Sequence, residues 1–213
     1  MTILITGAGR GIGAGLAEAY RARGRDVIAA ARTGRDAPLD VSDPASIRAL
    51  ADRLSGRTID LLVCNAGVYL DKGMSLSDGF DPAAWADTFA VNVTGVFLTV
   101  KAFLPHLSRS AAPKIAIISS QMGSSERAPG GSYIYRASKA AATNLGRNLA
   151  TDLAPQGIAV GIYHPGWVRT DMGGSSADIS QDESVEGLIA RFDDLSLATT
   201  GAFLTWDGRP HPY

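Results

Sequence analysis

Cysteine is nearly absent from this sequence. Cys64 stands alone, which excludes an internal disulfide and fits a reducing compartment. Histidine is as sparse, and His106, His164 and His211 lie too far apart for a zinc-binding spacing, so a metal-free chemistry is expected. No sign of charge dominates: 20 Lys and Arg stand against 21 Asp and Glu, and a formal net charge of -1 gives no electrostatic reason to expect nucleic acid or an anionic membrane as partner. The opening M-T-I-L-I-T-G-A-G-R has an apolar run too short for a signal peptide and no basic region before it. A cytoplasmic protein is therefore expected.

What the sequence does have is apolar content, 46% over 213 residues, enough for one domain with a sizeable core and cramped for two. Short apolar runs alternate with longer helix-like segments, the pattern of an α/β fold with a doubly wound parallel sheet of about seven strands and helices on both faces. Strands are predicted near 3–6, 27–31, 38–41, 59–64, 115–119, 158–163 and 202–205, and helices over 11–23, 44–54, 82–107, 133–153 and 183–192. Asp43-Pro44 and Asp81-Pro82 each read as an N-cap followed by a helix-compatible proline. The Gly/Ser-rich stretch at 173–184 follows a strand's C-terminal end, where ligands bind in such sheets, and reads with its flanks (171–193) as a substrate lid.

T-G-A-G-R-G-I-G follows the first strand and opens the first helix. Gly7, Gly9, Gly11 and Gly13 permit a tight turn, and the backbone around Arg10 and Ile12 can approach a phosphate at the helix N-terminus. At the end of the second strand, where an acid would hold a free ribose 2′-hydroxyl, the sequence has Ala31-Arg32. Arg32 and Arg10 suit a 2′-phosphate, so NADP(H) is favoured over NAD(H). Asp40, beside Val41, suits either the adenine amino group or a turn.

In G-G-S-Y-I-Y-R-A-S-K-A-A, residues 130–141, helical spacing puts Tyr135 and Lys139 on one face and turns Tyr133 away. An ammonium beside a phenol favours the phenolate, so a lowered Tyr135 pKa is expected. By itself the pair also fits an ordinary solvated helix surface.

L-L-V-C-N-A-G (61–67), V-N-V-T-G (91–95), I-S-S-Q-M-G (118–123), Y-R-A-S-K (135–139) and H-P-G-W-V-R-T (164–170) then follow in order. With the glycine loop they resemble the short-chain dehydrogenase/reductase superfamily across essentially the whole chain, and I-S-S-Q-M-G-S, P-G-W-V-R-T-D-M-G-G and the ending G-A-F-L-T-W-D-G-R-P-H-P-Y look like its compact carbonyl reductases of the sniffer and C-factor group. The resemblance implies a Rossmann fold and a catalytic tetrad of Asn92, Ser120, Tyr135 and Lys139. Tyr135 would protonate a carbonyl oxygen as hydride arrives, Lys139 would lower its pKa and hold the nicotinamide ribose, Ser120 would bind the developing oxyanion, and Asn92 would hold a water linking Lys139 to solvent. Asn65, Ala66 and Gly67 would support the adenine ribose or brace the sheet. Pro165, Gly166, Val168 and Thr170 would pass the nicotinamide. His164 reads as structural, and Trp167, Met172, Met122 and Tyr69 suit either an apolar substrate pocket or core.

Two departures stand out. Only seven residues separate Arg32 from Asp40, too few for a crossover helix, which makes Arg35 a third candidate for a 2′-phosphate. Cys64 takes the place of an asparagine. The leading expectation is an NADPH-dependent reductase of a small aldehyde or ketone, with a cofactor-binding signalling protein of the C-factor type as the alternative. The resemblance also implies a homodimer or homotetramer through the helices over 82–107 and 133–153.

Overall fold

The computed structural model describes residues 1–213, the side chain of Asp78 excepted. Seven strands form one sheet: β1 (Thr2–Thr6), β2 (Asp26–Ala31), β3 (Ala37–Pro38), β4 (Leu61–Cys64), β5 (Lys114–Ile118), β6 (Ala159–His164) and β7 (Phe203–Thr205). Their order is β3-β2-β1-β4-β5-β6-β7, and every pairing is parallel. Strands covered on both faces have no polar face to present, which is why β1, β4 and β5 read as nearly unbroken apolar runs. The chain reverses its direction of travel across the sheet between β1 and β4, so their C-terminal ends form the crevice where such folds bind ligands.

Six helices cover the sheet: α1 (Gly11–Ala22), α2 (Pro44–Arg53), α3 (Pro82–Phe89), α4 (Gly95–Leu107), α5 (Tyr133–Leu153) and α6 (Gln181–Asp194). One face buries Ile47, Leu50, Val100, Phe103 and Leu153 from α2, α4 and α5, and the other buries Leu16, Tyr20, Val185, Leu188 and Phe192 from α1 and α6. The expected caps are present, with Asp43 accepting from Ala45 N and Asp81 from Ala83 N.

Three expectations need correction. The strand predicted over 38–41 is a two-residue β3 at Ala37–Pro38, because Asp40 folds its carboxylate onto Ser42 N (2.9 Å) and turns the chain toward α2. The helix expected over 82–107 contains a π turn, Ala90–Thr94, between α3 and α4. By length and composition the stretch Pro82–Leu107 is apolar enough to cross a membrane, but here it lies on the sheet with Val96, Val100, Phe103 and Leu107 in the core. The last part of the stretch expected as a lid is α6, whose Val185, Leu188, Ile189 and Phe192 are core.

Gly95, where the helix resumes, is set by contact. A Cβ there would lie 2.5 Å from the Val41 carbonyl oxygen and 3.0 Å from that of Ala90. Helix propensity favours Gly→Ala by about 1 kcal/mol, but overpacking against backbone costs about 1–3 kcal/mol, so sterics win. Gly95→Ala is expected to lower the thermal midpoint by about 2–4 °C per kcal/mol lost, read by calorimetry, and a raised midpoint would contradict this packing.

Candidate active site

The glycine loop is fastened to the end of β4. Thr6 Oγ1 accepts from the backbone of Asn65 (3.1 Å) and Ala66 (3.2 Å), while Asn65 Nδ2 donates to the carbonyls of Thr6 (3.0 Å) and Gly7 (3.2 Å). Gly7 has φ +66, and a Cβ on it would sit 2.6 Å from Ala66 Cα, so the turn requires glycine. Asn65 thus acts here as a brace. Arg10 occupies the N-cap position of α1 with no side-chain capping bond, and the first turn carries no acid. The backbone N–H groups of that turn, around Gly11, Ile12 and Gly13, are therefore available to an anion, and the residues present fit a dinucleotide pyrophosphate. The 165–170 segment closes over this loop. Thr170 Cγ2 lies 3.5 Å from where a Gly11 Cβ would be, Gln181 Nε2 donates to Gly11 O (3.0 Å), Ser184 Oγ donates to Pro165 O (2.6 Å), and Val168 bridges to Ile179.

Three arginines lie at or near the glycine loop and the end of β2. Arg32 is exposed after β2. Arg35 donates to Gly9 O (3.4 Å), and Arg10 forms an ion pair with Asp171 of the 171–180 loop (2.8 Å). Asp36, the nearest acid to the end of β2 in sequence, already accepts from Ala29 N (2.9 Å) and from Arg21. Asp40 is held below the usual carboxylate range by its Ser42 hydrogen bonds and so presents a negative charge beside Val41.

Asn92, Ser120, Tyr135 and Lys139 come together at the C-terminal ends of β4 and β5. All four are buried. Lys139 Nζ donates to Ile118 O (2.9 Å) and stands 5.7 Å from the centre of the Tyr135 ring, and Ser120, whose Oγ accepts from Met122 N (3.1 Å), is near enough to the phenol to favour its ionised form. Ser119 is used otherwise, on Lys139 O (3.1 Å) and Thr143 Oγ1 (2.7 Å). Asn92, in the π turn, accepts from Val68 N (2.9 Å) and donates to Val68 O (2.9 Å) and Ser138 Oγ (3.0 Å).

The expected lowering of the Tyr135 pKa is not found. Burial pushes the phenol up to about 12 against the downward pull of Ser120, and the same burial pushes Lys139 down to about 8. Two groups sharing a dry site each lose more by desolvation of their charged forms than they regain at this distance.

Some residues of the cluster carry no local sequence signal. Asp71, with no exposed surface, accepts from Ile134 N (2.8 Å) and Tyr135 N (3.2 Å), and so caps α5 from a loop more than sixty positions earlier. Tyr69 stacks on Tyr135, with ring centres 4.3 Å apart at 21°, and its hydroxyl hydrogen-bonds Ser132. Tyr133 is exposed and packs edge-on against Phe80, away from Lys139 as expected. Trp167 and Met172 are exposed on the segment above, where Lys72 Nζ donates to Met172 O (2.8 Å). A cavity of about 420 Å³ lies elsewhere, beside β7, and its Arg191 is already paired with Asp194 (2.8 Å).

Residues 1–181 match the family model for short chain dehydrogenases. The chain belongs to that family. It is 37% identical over 169 residues to C-signal of Myxococcus xanthus, covering 78% of this chain and all of that protein. Among solved structures it resembles the NADPH-bound carbonyl reductase from chicken fatty liver (TM-score 0.89, 32% identity, 100% of this chain and 98% of that one). It also resembles carbonyl reductase Sniffer of D. melanogaster (TM-score 0.87, 26% identity, 100% and 99%). This short-chain dehydrogenase is thus an oxidoreductase of the C-factor and sniffer-like type.

Two buried groups outside the cluster complete the picture. The Cys64 thiol is pushed up to about 12 by burial, which withholds the thiolate that redox chemistry needs. His164, 8% exposed ahead of Pro165, is lowered to about 3, first by burial and then by neighbouring His211. Between pH 6.5 and 3 the unfolded chain therefore binds a proton at this position that the folded chain refuses. Stability is full above pH 6.5 and falls as pH drops, at up to about 1.4 kcal/mol per pH unit. The thermal midpoint of His164→Gln should decline less steeply with acidification than that of the parent dehydrogenase; parallel declines would refute the assignment.

Proposed function

We propose that the protein is an NADPH-dependent carbonyl reductase acting in the cytoplasm on a small aldehyde or ketone, with Tyr135 as its acid. The carrying observation is the joint burial of Ser120, Tyr135 and Lys139, with Lys139 Nζ 5.7 Å from the phenol ring. The glycine loop and the 165–170 segment would hold the dinucleotide, and a bound nicotinamide would supply the hydride. Ser120 donates a hydrogen bond to the carbonyl oxygen as negative charge develops there, and the Tyr135 hydroxyl transfers its proton to that oxygen. A phenol at about 12 remains protonated at neutral pH, which suits a proton donor in the reductive direction. Lys139, a cation below about pH 8, steadies the phenolate left behind and restores its proton. Asn92 connects Lys139 to solvent through a water, and its π turn is the kind of helix irregularity that recurs at functional sites.

Arg32, Arg35 and Arg10 support NADPH, since no free acid follows β2. Trp167, Met172 and Tyr69 give the substrate side an apolar rim, consistent with an uncharged substrate. Trp85 and Phe97, exposed on α3 and α4, support a homodimer or homotetramer through those helices and α5. The similarity to C-signal favours a second reading, a cofactor-binding signalling protein, and a partner captured only with NADPH and equally well by Tyr135→Phe would support it.

Tyr135→Phe is expected to lower kcat for carbonyl reduction by roughly 10²- to 10⁴-fold, with NADPH affinity by fluorescence titration little changed. Near-parental turnover would remove Tyr135 from the role. For the cofactor, Arg32→Ala should weaken NADPH binding by roughly 10- to 100-fold, the worth of a charge-assisted hydrogen bond, and leave NADH unaffected. Equal losses for both nucleotides would remove Arg32 as the phosphate reader.

A further inference from the structure

The segment following N-A-G reaches Tyr135 twice. Tyr69 lies on one face of its ring, and two residues later the Asp71 carboxylate takes the Ile134 and Tyr135 amides. A third contact fixes the approach to the helix. Ser132, immediately before α5, has φ 48 and ψ 46, and among the described residues it is the one non-glycine with positive φ. Such a conformation is strained for a residue with a Cβ and persists where its surroundings over-determine it. Here the Tyr69 hydroxyl holds the Ser132 hydroxyl. The Ser132 side chain makes no capping bond to α5, and Asp71 performs the capping that Ser132 would otherwise supply.

We propose that Tyr69 is a positioning residue for Tyr135, with Asp71 as its anchor on α5. The ring of Tyr69 limits the Tyr135 side chain to one orientation about its Cα–Cβ bond, and its hydroxyl, through Ser132, fixes the angle at which the helix begins. Asp71 keeps the two segments in register by closing two otherwise unpaired amides with a buried carboxylate. The phenolic oxygen is thereby aimed at the Ser120 side of the site. The inference rests on the reading of Tyr135 as the acid, and it adds how a side chain on the first turn of a long helix is held to the tolerance that proton transfer requires.

The test compares the full chain with Tyr69→Phe, Tyr69→Leu, Asp71→Asn and Tyr135→Phe. NADPH-dependent reduction of 4-nitrobenzaldehyde is measured, with kcat expressed per NADPH-binding site from fluorescence titration so that an unfolded fraction does not count. Amide hydrogen exchange of the 130–136 peptide is followed in parallel without nucleotide. A displacement of about 1 Å can cost 10²-fold in rate, so Tyr69→Leu should lose roughly 10²-fold in kcat with little change in KM. Tyr69→Phe, which retains the stack, should recover most of that loss. Exchange at Ile134 and Tyr135 should quicken in Asp71→Asn. Parental kcat per site in Tyr69→Leu, alongside a large loss in Tyr135→Phe, overturns the positioning role and leaves the acid in place. Parental turnover in Tyr135→Phe overturns both. Unchanged 130–136 exchange in both Tyr69→Leu and Asp71→Asn overturns the clamp whatever the rates show.

Discussion

A lysine side chain 4% exposed needs a partner for its charge, and Lys139 finds a backbone carbonyl, Ile118 O, at 2.9 Å. Among the described residues no carboxylate pairs with it. A carbonyl dipole offsets less of the desolvation cost than a full negative charge would, so the ammonium is held with a pKa far below that of an exposed lysine. The same dryness keeps the neighbouring phenol neutral. At neutral pH the phenol therefore rests uncharged while Lys139 is a cation close to its titration point, so a phenolate created by proton transfer meets an ammonium whose charge it stabilises. This poise depends on α5 lying in one register against the end of β5, which Ser119 enforces by holding the Lys139 carbonyl and Thr143 together.

That register is governed in turn by one short segment at the sheet's switch point. Asn65 braces the glycine turn, Val68 takes both ends of the Asn92 amide, Tyr69 covers Tyr135, and Asp71 caps α5. The half that fits a dinucleotide and the half that holds the phenol are thus joined through consecutive residues leaving β4. A shift of this segment would be felt at all four places, because each contact is a directional hydrogen bond or a ring stack.

Much of this was legible in the sequence where the signal is local. Helical spacing put Tyr135 and Lys139 on one face, the Asp-Pro pairs marked the starts of α2 and α3, and unbroken apolar runs announced a sheet covered on both sides. What could not be read depends on distance along the chain. Asp71 meets Ile134 across 63 positions and Arg10 meets Asp171 across 161, and nothing in either neighbourhood anticipates the partner. The Tyr135 pKa was misjudged for a related reason. The spacing identifies the cation beside the phenol, but the burial that outweighs it comes from β5, the Ser120 turn and Tyr69, elements that only the fold assembles. At β3 the turn that Asp40 offers competes with a strand running to Val41, and the turn wins because an aspartate two residues before a serine can close on its amide.

The short connection from Arg32 to Asp40 has a consequence for how the site opens. Without a crossover helix there, Arg35 folds back on Gly9, and Arg10 is free to reach over the glycine loop to Asp171. Both partners of that ion pair are about three-quarters exposed, at 74% and 73% of side-chain surface, so water and salt leave it little net strength. The Lys72 bond to the Met172 carbonyl, on the other side of the 171–180 loop, is exposed as well. The far end of the loop is different, since Ser180 begins α6 with a complete capping box and Gln181 ties that helix to Gly11. Between the two ends Trp167 Nε1 donates to Gly173 O (2.9 Å) and Arg169 to Ala177 O (3.0 Å), so the loop is tied along its length as well. Arg10, which reaches this loop through Asp171, also stands at the glycine loop, so an anion competing for Arg10 there would loosen the same exposed tether.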